Sequence, residues 1–161
     1  MHRYLKVNII GDRNVGKSSI IQRKIDGTFD KNYIPTMGIS VITLSEKHIN
    51  LWDHAGDSLS DDNVYYNDSD ACILVFDLTS IDSFRNAIKW LESYESTVLS
   101  AKKIVLCGNK YDLIGPTDEI NDILQRFEQK NEETQSGLKL ILTSAKTGHN
   151  IEEMFAFIAT S

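Results

Sequence analysis

Cysteine is scarce. The 161 residues hold two, Cys72 and Cys107, each inside an apolar run. That excludes a disulfide framework or a cysteine metal cluster, leaves both as small core residues, and fits a reducing, intracellular setting. No run approaches the roughly 18 apolar residues that a membrane helix needs. Met1–Lys6 leads straight into a strand-like segment, with no space for a signal peptide. There is no basic stripe, which excludes a reader of nucleic acid. There is also no repeat, low-complexity tract or linker, so one domain over residues 1–161 is expected.

Acidity, by contrast, is concentrated. The net charge is −6, and residues 45–70 account for all of it, with seven acids (Glu46, Asp53, Asp57, Asp61, Asp62, Asp68, Asp70) against Lys47. This window is either a solvated face or a surface for a basic partner.

Strand-like and helix-like segments alternate along the chain. Leu5–Ile10 precedes a glycine-bearing loop and a helical run over Lys17–Ile25. Ile39–Leu44 and His48–Trp52 flank Ser45-Glu46-Lys47, a tight-hairpin pattern. The continuous apolar run Ala71–Phe76 is that of a strand buried on both faces, and Lys103–Cys107 and Leu138–Leu142 add two more. Helical faces fall at Phe84, Ile88, Leu91, at Ile120, Ile123, Leu124, Phe127, and at Ile151, Met154, Phe155, Ile158. Asn150 followed by Glu153 gives the last helix a capping-box pattern. An α/β fold with a mostly parallel sheet follows, and such sheets place ligands at the carboxyl ends of their strands.

What the strands deliver there is specific. After the first comes Gly11-Asp12-Arg13-Asn14-Val15-Gly16-Lys17-Ser18, a G-x-x-x-x-G-K-[ST] loop between strand and helix. Glycines let the backbone wrap a polyphosphate, and loop amides and the helix N-terminus point at its charge. Lys17 then neutralises phosphate oxygens and the Ser18 hydroxyl serves Mg²⁺. By itself this loop also fits an ATPase or a small-molecule kinase.

Lys103–Cys107 ends in Gly108-Asn109-Lys110-Tyr111-Asp112, and Leu138–Leu142 in Thr143-Ser144-Ala145-Lys146. A carboxylate at Asp112 matches guanine N1–H and its 2-amino group, whereas facing adenine it would be buried and left unpaired. The Lys110 stem is expected over the base with its head in water, and the Ala145 amide at the guanine carbonyl oxygen. The strand ending at Trp52 delivers Asp53-His54-Ala55-Gly56, an acid for Mg²⁺ and an amide for the γ-phosphate. Thr36 completes the metal shell when the γ-phosphate is present and releases it otherwise. Phe29 either packs edge-on against the base or belongs to the core.

Gly11–Ser18, Thr36, Asp53–Gly56, Asn109–Asp112 and Thr143–Lys146 together resemble the five motifs of Ras-superfamily small GTPases, over nearly the whole chain. Pro35–Ile39, Trp52-Asp53, Tyr65-Tyr66, Ile73–Thr79 and Ser83-Phe84 look most like a Rab. The resemblance implies a P-loop fold with a six-stranded, mostly parallel sheet, one antiparallel edge strand and about five helices. It implies GTP or GDP with Mg²⁺, held by Asp12, Arg13, Asn14, Val15, Gly16, Lys17, Ser18, Ser19, Phe29, Tyr33, Thr36, Gly56, Asn109, Lys110, Asp112, Ser144, Ala145 and Lys146. Ser18, Thr36 and Asp53 are the implied metal ligands, and Lys17, Thr36, Gly56 and Asp57 the catalytic set. The implied function is a switch in membrane traffic, monomeric and cytoplasmic. Its implied partners are exchange factors, GTPase-activating proteins and effectors.

Four departures stand out. Asp57 replaces the usual glutamine and sets like charge beside the γ-phosphate, which is expected to weaken water positioning. Arg13 occupies a position usually small; it crowds the γ-phosphate, supplies positive charge in cis, or points to solvent. The interval from Thr36 to Asp53 is 17 residues, several fewer than in Rabs, so the hairpin between the switches is short. The chain ends at Ser161 without a prenylation cysteine, so membrane attachment would need a lipidated tail beyond it.

Overall fold

The computed structural model describes residues 3–32, 34–56, 63–98, 103–134 and 137–160. In chain order the elements are β1 (Leu5–Ile10), α1 (Lys17–Asp26), β2 (Ile39–Leu44), β3 (Ile49–His54), β4 (Ala71–Asp77), α2 (Ile81–Thr97), β5 (Lys103–Asn109), α3 (Glu119–Thr134), β6 (Leu138–Leu142) and α4 (Ile151–Ala159). The sheet order is β2-β3-β1-β4-β5-β6; β2 pairs antiparallel with β3 and every other pair is parallel.

Successive side chains of a strand point to opposite faces, and this divides the core in two. Val7, Ile9, Ala71, Ile73, Val75, Val105 and Cys107 meet Ile20 and Ile21 of α1 and Met154, Phe155 and Ile158 of α4. Ile10, Cys72, Leu74, Phe76 and Leu106 meet Phe84, Trp90 and Tyr94 of α2 and Ile120 and Leu124 of α3. Both cysteines are therefore buried core residues; desolvation raises both thiols, that of Cys107 to about 12. Polar groups cross the second layer as a closed set. The Asn8 amide donates to Ser69 Oγ (2.8 Å), as does Tyr94 OH (2.8 Å), and His54 Nε2 meets Asn8 Oδ1 at 2.7 Å.

Four α-helices are present among the described residues, where about five are expected from the sequence. Between β3 and β4 the described residues form a 3₁₀ turn, Asn63–Tyr66. Three strands also outrun their apolar stretches, because sheet register sets their ends: Ile39 pairs with His54, and Asp77 with Asn109. Asp53 and Asn109 are consequently strand residues. The short hairpin is closed by a 3₁₀ turn, Ser45–Lys47, with His48 left-handed at φ 53°.

The capping box at Asn150 does not form. Asn150 starts α4 in the left-handed region (φ 56°), and its side chain donates to Leu142 O at 2.9 Å, so it ties the helix start to β6. A side-chain cap occurs instead at α2, where Ser80 accepts from Ser83 N.

Phe155 is fully buried between α4 and the sheet. Phe155→Ala is expected to cost about 3–5 kcal/mol, a large share of the stability of such a domain, read as a lower urea midpoint with unchanged slope.

Candidate functional site

Because β1, β3, β4, β5 and β6 run parallel, their carboxyl ends meet along one rim. The loop after β1 folds there under steric compulsion. Gly11 lies at φ 147°, and a Cβ on it would overlap the Val75 carbonyl. Gly16, the N-cap of α1, lies at φ 102° against the Asn109 side chain. No side chain caps α1 and no acid sits in its first turn, so its terminal amides and dipole remain available to an anion.

A cavity of about 500 Å³ opens above this loop, within the ~300–1,000 Å³ range of small-molecule sites. Of the sequence candidates, Arg13, Asn14, Gly16, Lys17, Ser18, Ser19, Phe29, Thr36, Gly56, Asn109, Lys110, Asp112, Ala145 and Lys146 line it. Phe29 also packs on the α1–α4 core, as the second of its two sequence readings has it. Asp12, Val15 and Ser144 do not line the cavity. Tyr33 and Asp57 lie outside the described residues.

Lys17 is buried, and its ammonium donates to Gly11 O (2.9 Å) and Asp12 O (2.7 Å). Those bonds hold the head at the floor of the loop. Beside it, Ser18 Oγ donates to Asp53 Oδ2 at 2.7 Å and lies 2.8 Å from Thr36 Oγ1. The three expected metal ligands thus converge, although they come from α1, β3 and the segment before β2. Burial raises the Asp53 carboxyl pKa above its ordinary 3.8, against the lowering effects of Ser18, Lys17 and Thr36. Asp53 Oδ1 is buried and takes no hydrogen bond from the described residues. A buried acceptor left open beside two hydroxyls fits a hard divalent cation such as Mg²⁺.

Asn109 knots the rim together. Its Nδ2 donates to Val15 O (3.0 Å), and its Oδ1 accepts from Ala145 N (3.1 Å) and Thr143 Oγ1 (3.3 Å). The Ala145 amide, expected at the carbonyl oxygen of a base, donates to Asn109 Oδ1 in this structure. The Lys110 head, on a partly exposed side chain that lines the cavity, donates to Asp77 Oδ2 at 2.7 Å and to Asn14 O at 2.9 Å. Asp112 is exposed at the rim of the cavity. Ser144 Oγ donates to its Oδ1 at 2.6 Å and so orients it.

Several positioning residues escaped the sequence reading. Both Asp12 oxygens face away from the cavity, accepting from Asn86 Nδ2 (2.7 Å) and Trp90 Nε1 (3.0 Å) of α2. Asp77 and Arg23 are the others. Their contacts with Asp12, with Lys110 and with the loop after β6 cross long sequence separations, so no local spacing marks them. The acidic window is partly spent in the same way. Asp70 binds Arg3 at 2.7 Å, Glu46 binds Lys24 at 2.8 Å, and Asp53 is buried. Asp57, Asp61 and Asp62 lie outside the described residues.

A carboxyl whose folded pKa exceeds its unfolded one costs stability as pH rises from the lower value through the higher. Asp53→Asn is therefore expected to raise the thermal midpoint of the ligand-free chain at neutral pH. The gain should vanish below the unfolded value of 3.8, as a pair of melts would show.

The chain matches a sequence model of the Ras family over residues 6–161. It is 33% identical to the Ras-related protein RABE1e of Arabidopsis thaliana over 163 aligned positions, which cover 96% of this chain and 73% of that one. It is 34% identical to the Ras-related protein RAB1BV of Beta vulgaris, over 96% of this chain and 74% of the relative. With a glycine-bounded loop under Lys17, a six-stranded sheet with one antiparallel edge, and relatives of this kind along its length, the chain belongs to the Ras family and is Rab-like within it.

Proposed function

We propose that this chain binds GTP and GDP with Mg²⁺ and works as a nucleotide-dependent switch in vesicle or membrane traffic, with slow intrinsic hydrolysis. The observation that carries the proposal is the single cavity that joins the phosphate loop, Thr36, Gly56 and Asp112. The traffic role rests on the Rab likeness alone.

In this reading the terminal amides of α1 and the Lys17 ammonium take the phosphates. The Gly56 amide meets the γ-phosphate. Ser18, Thr36 and Asp53 hold Mg²⁺, which when bound offsets charge on the phosphate oxygens. Asp112 accepts from guanine N1–H and the 2-amino group, with Ser144 fixing the carboxylate. Covering by the base would give it the desolvation that its free state lacks.

Thr36 is the moving part. Ile34 and Met37 beside it are 79% and 85% exposed, and Val41, Val64 and Tyr65 extend the apolar surface. Repositioning Thr36 would redraw that surface, which makes it the candidate face for effectors. Exchange factors and GTPase-activating proteins belong to the same reading.

A second reading, a nucleotide-held scaffold with negligible turnover, is favoured by Arg13 in the cavity lining and by Asp57 after Gly56. Single-turnover phosphate release from GTP-loaded protein separates the two. Release above buffer supports the enzyme, and none leaves the scaffold. Asp57→Gln and Arg13→Gly are each expected to speed that release several-fold. Unchanged rates in both would remove like-charge repulsion and crowding as causes.

Base selection has its own check. GTP is expected to displace labelled GDP and ATP is not. Asp112→Asn should shift preference toward xanthine nucleotides, whose 2-carbonyl needs a donor. Unaltered selectivity in that variant would refute the role of Asp112.

A further inference from the structure

One guanidinium holds three backbone carbonyls around the rim. Arg23, in the last turn of α1, donates through Nε to Ala145 O at 2.7 Å, through Nη1 to Gly27 O at 2.6 Å, and through Nη2 to Lys146 O. Gly27 ends α1, and the other two carbonyls belong to the loop after β6 that lines the cavity. A guanidinium is a rigid planar fork, so these bonds fix the directions of the carbonyls as well as their distances.

Peptide direction carries the argument further. No cis bond occurs among the described residues, and the N–H of a trans peptide points opposite to its C=O. With the Ala145 and Lys146 carbonyls turned toward Arg23, the N–H groups of Lys146 and Thr147 point away from it. The Thr147 amide reaches Ser144 Oγ at 3.1 Å, the hydroxyl that orients Asp112. The Ala145 amide is taken by Asn109. Among the described residues no acceptor takes the Lys146 amide, and Lys146 lines the cavity.

We infer that Arg23 is a specificity-positioning residue: by holding the Ala145 and Lys146 carbonyls, it presents the Lys146 N–H to the oxygen on C6 of a bound guanine. The inference rests on the guanine-nucleotide reading above. The bond to Ala145 O also polarises that peptide unit and strengthens its N–H as a donor. Arg23 touches no base itself; it acts through the loop.

The probe is a base that changes only this acceptor. In 6-thioguanosine diphosphate the N1–H and 2-amino groups remain, and sulfur, a weak acceptor, replaces the oxygen. Calorimetry in Mg²⁺ buffer compares it with GDP on the wild-type chain and on Arg23→Ala, Arg23→Gln and Arg23→Lys. Wild type is expected to prefer GDP by about tenfold. Arg23→Ala should bring that preference near unity while keeping the preference for GDP over xanthosine diphosphate, which Asp112 sets. Arg23→Lys should fall between, since one ammonium cannot span the three carbonyls.

A purely structural role would weaken both nucleotides equally and leave the ratio intact. An intact ratio in Arg23→Ala, or the absence of any preference in wild type, overturns the inference. If Arg23→Ala does not fold, Arg23→Gln, which keeps helix preference and one donor, supplies the ratio. Failure of wild type to bind GDP would overturn the guanine reading itself, and this inference with it.

Discussion

The buried carboxamide of Asn109 is the constraint on which the site depends. It sits at the end of β5 and bonds at once to the phosphate loop, through Val15 O, and to the loop after β6, through Ala145 N. A carboxamide offers donors and an acceptor on one short planar group, so it can hold two loops with opposite needs. An aspartate there would face the Val15 carbonyl without a proton to donate, and a buried mismatch of that kind typically costs about 1–3 kcal/mol. The two loops that flank the cavity are thus tied to each other through one side chain.

Around that anchor the rim is held by charge set against backbone. Lys17, Lys110 and Arg23 all donate to main-chain carbonyls, at Gly11 and Asp12, at Asn14, and at Gly27, Ala145 and Lys146. Cations placed this way keep positive potential at the cavity wall while the loops stay ordered. Asp53 is the counterpoint, a carboxylate with one oxygen bound by Ser18 and the other buried and open. The arrangement suits a guest that brings both negative phosphate and a divalent cation.

Much of this was legible in the sequence, for definite reasons. Ala71–Phe76 could only be a strand buried on both faces, and alternation of its side chains then fixed the two-layer core. The loop Gly11–Ser18 carries its own geometry, because glycines are required where a Cβ would strike Val75 or Asn109. What stayed hidden was set by register and by distant partners. Hydropathy ends β5 at Cys107, whereas pairing of Asp77 with Asn109 carries it two residues on. Asn150 and Glu153 have capping-box spacing, but the carbonyl of Leu142 competes for the asparagine and wins. The exposure of Asp112 and the pairing of Lys110 with Asp77 likewise depend on which loops the sheet brings side by side.

The grip of α2 on Asp12 has a consequence for how this chain can drift. Asn86 and Trp90 stand one helical turn apart and take the two oxygens of a single carboxylate. Losing either donor strands an oxygen, and losing the acid strands an amide and an indole. The three positions are thus mutationally entangled, so that replacement is tolerated as a set and resisted one at a time, while the solvent side of the same helix remains at liberty to vary.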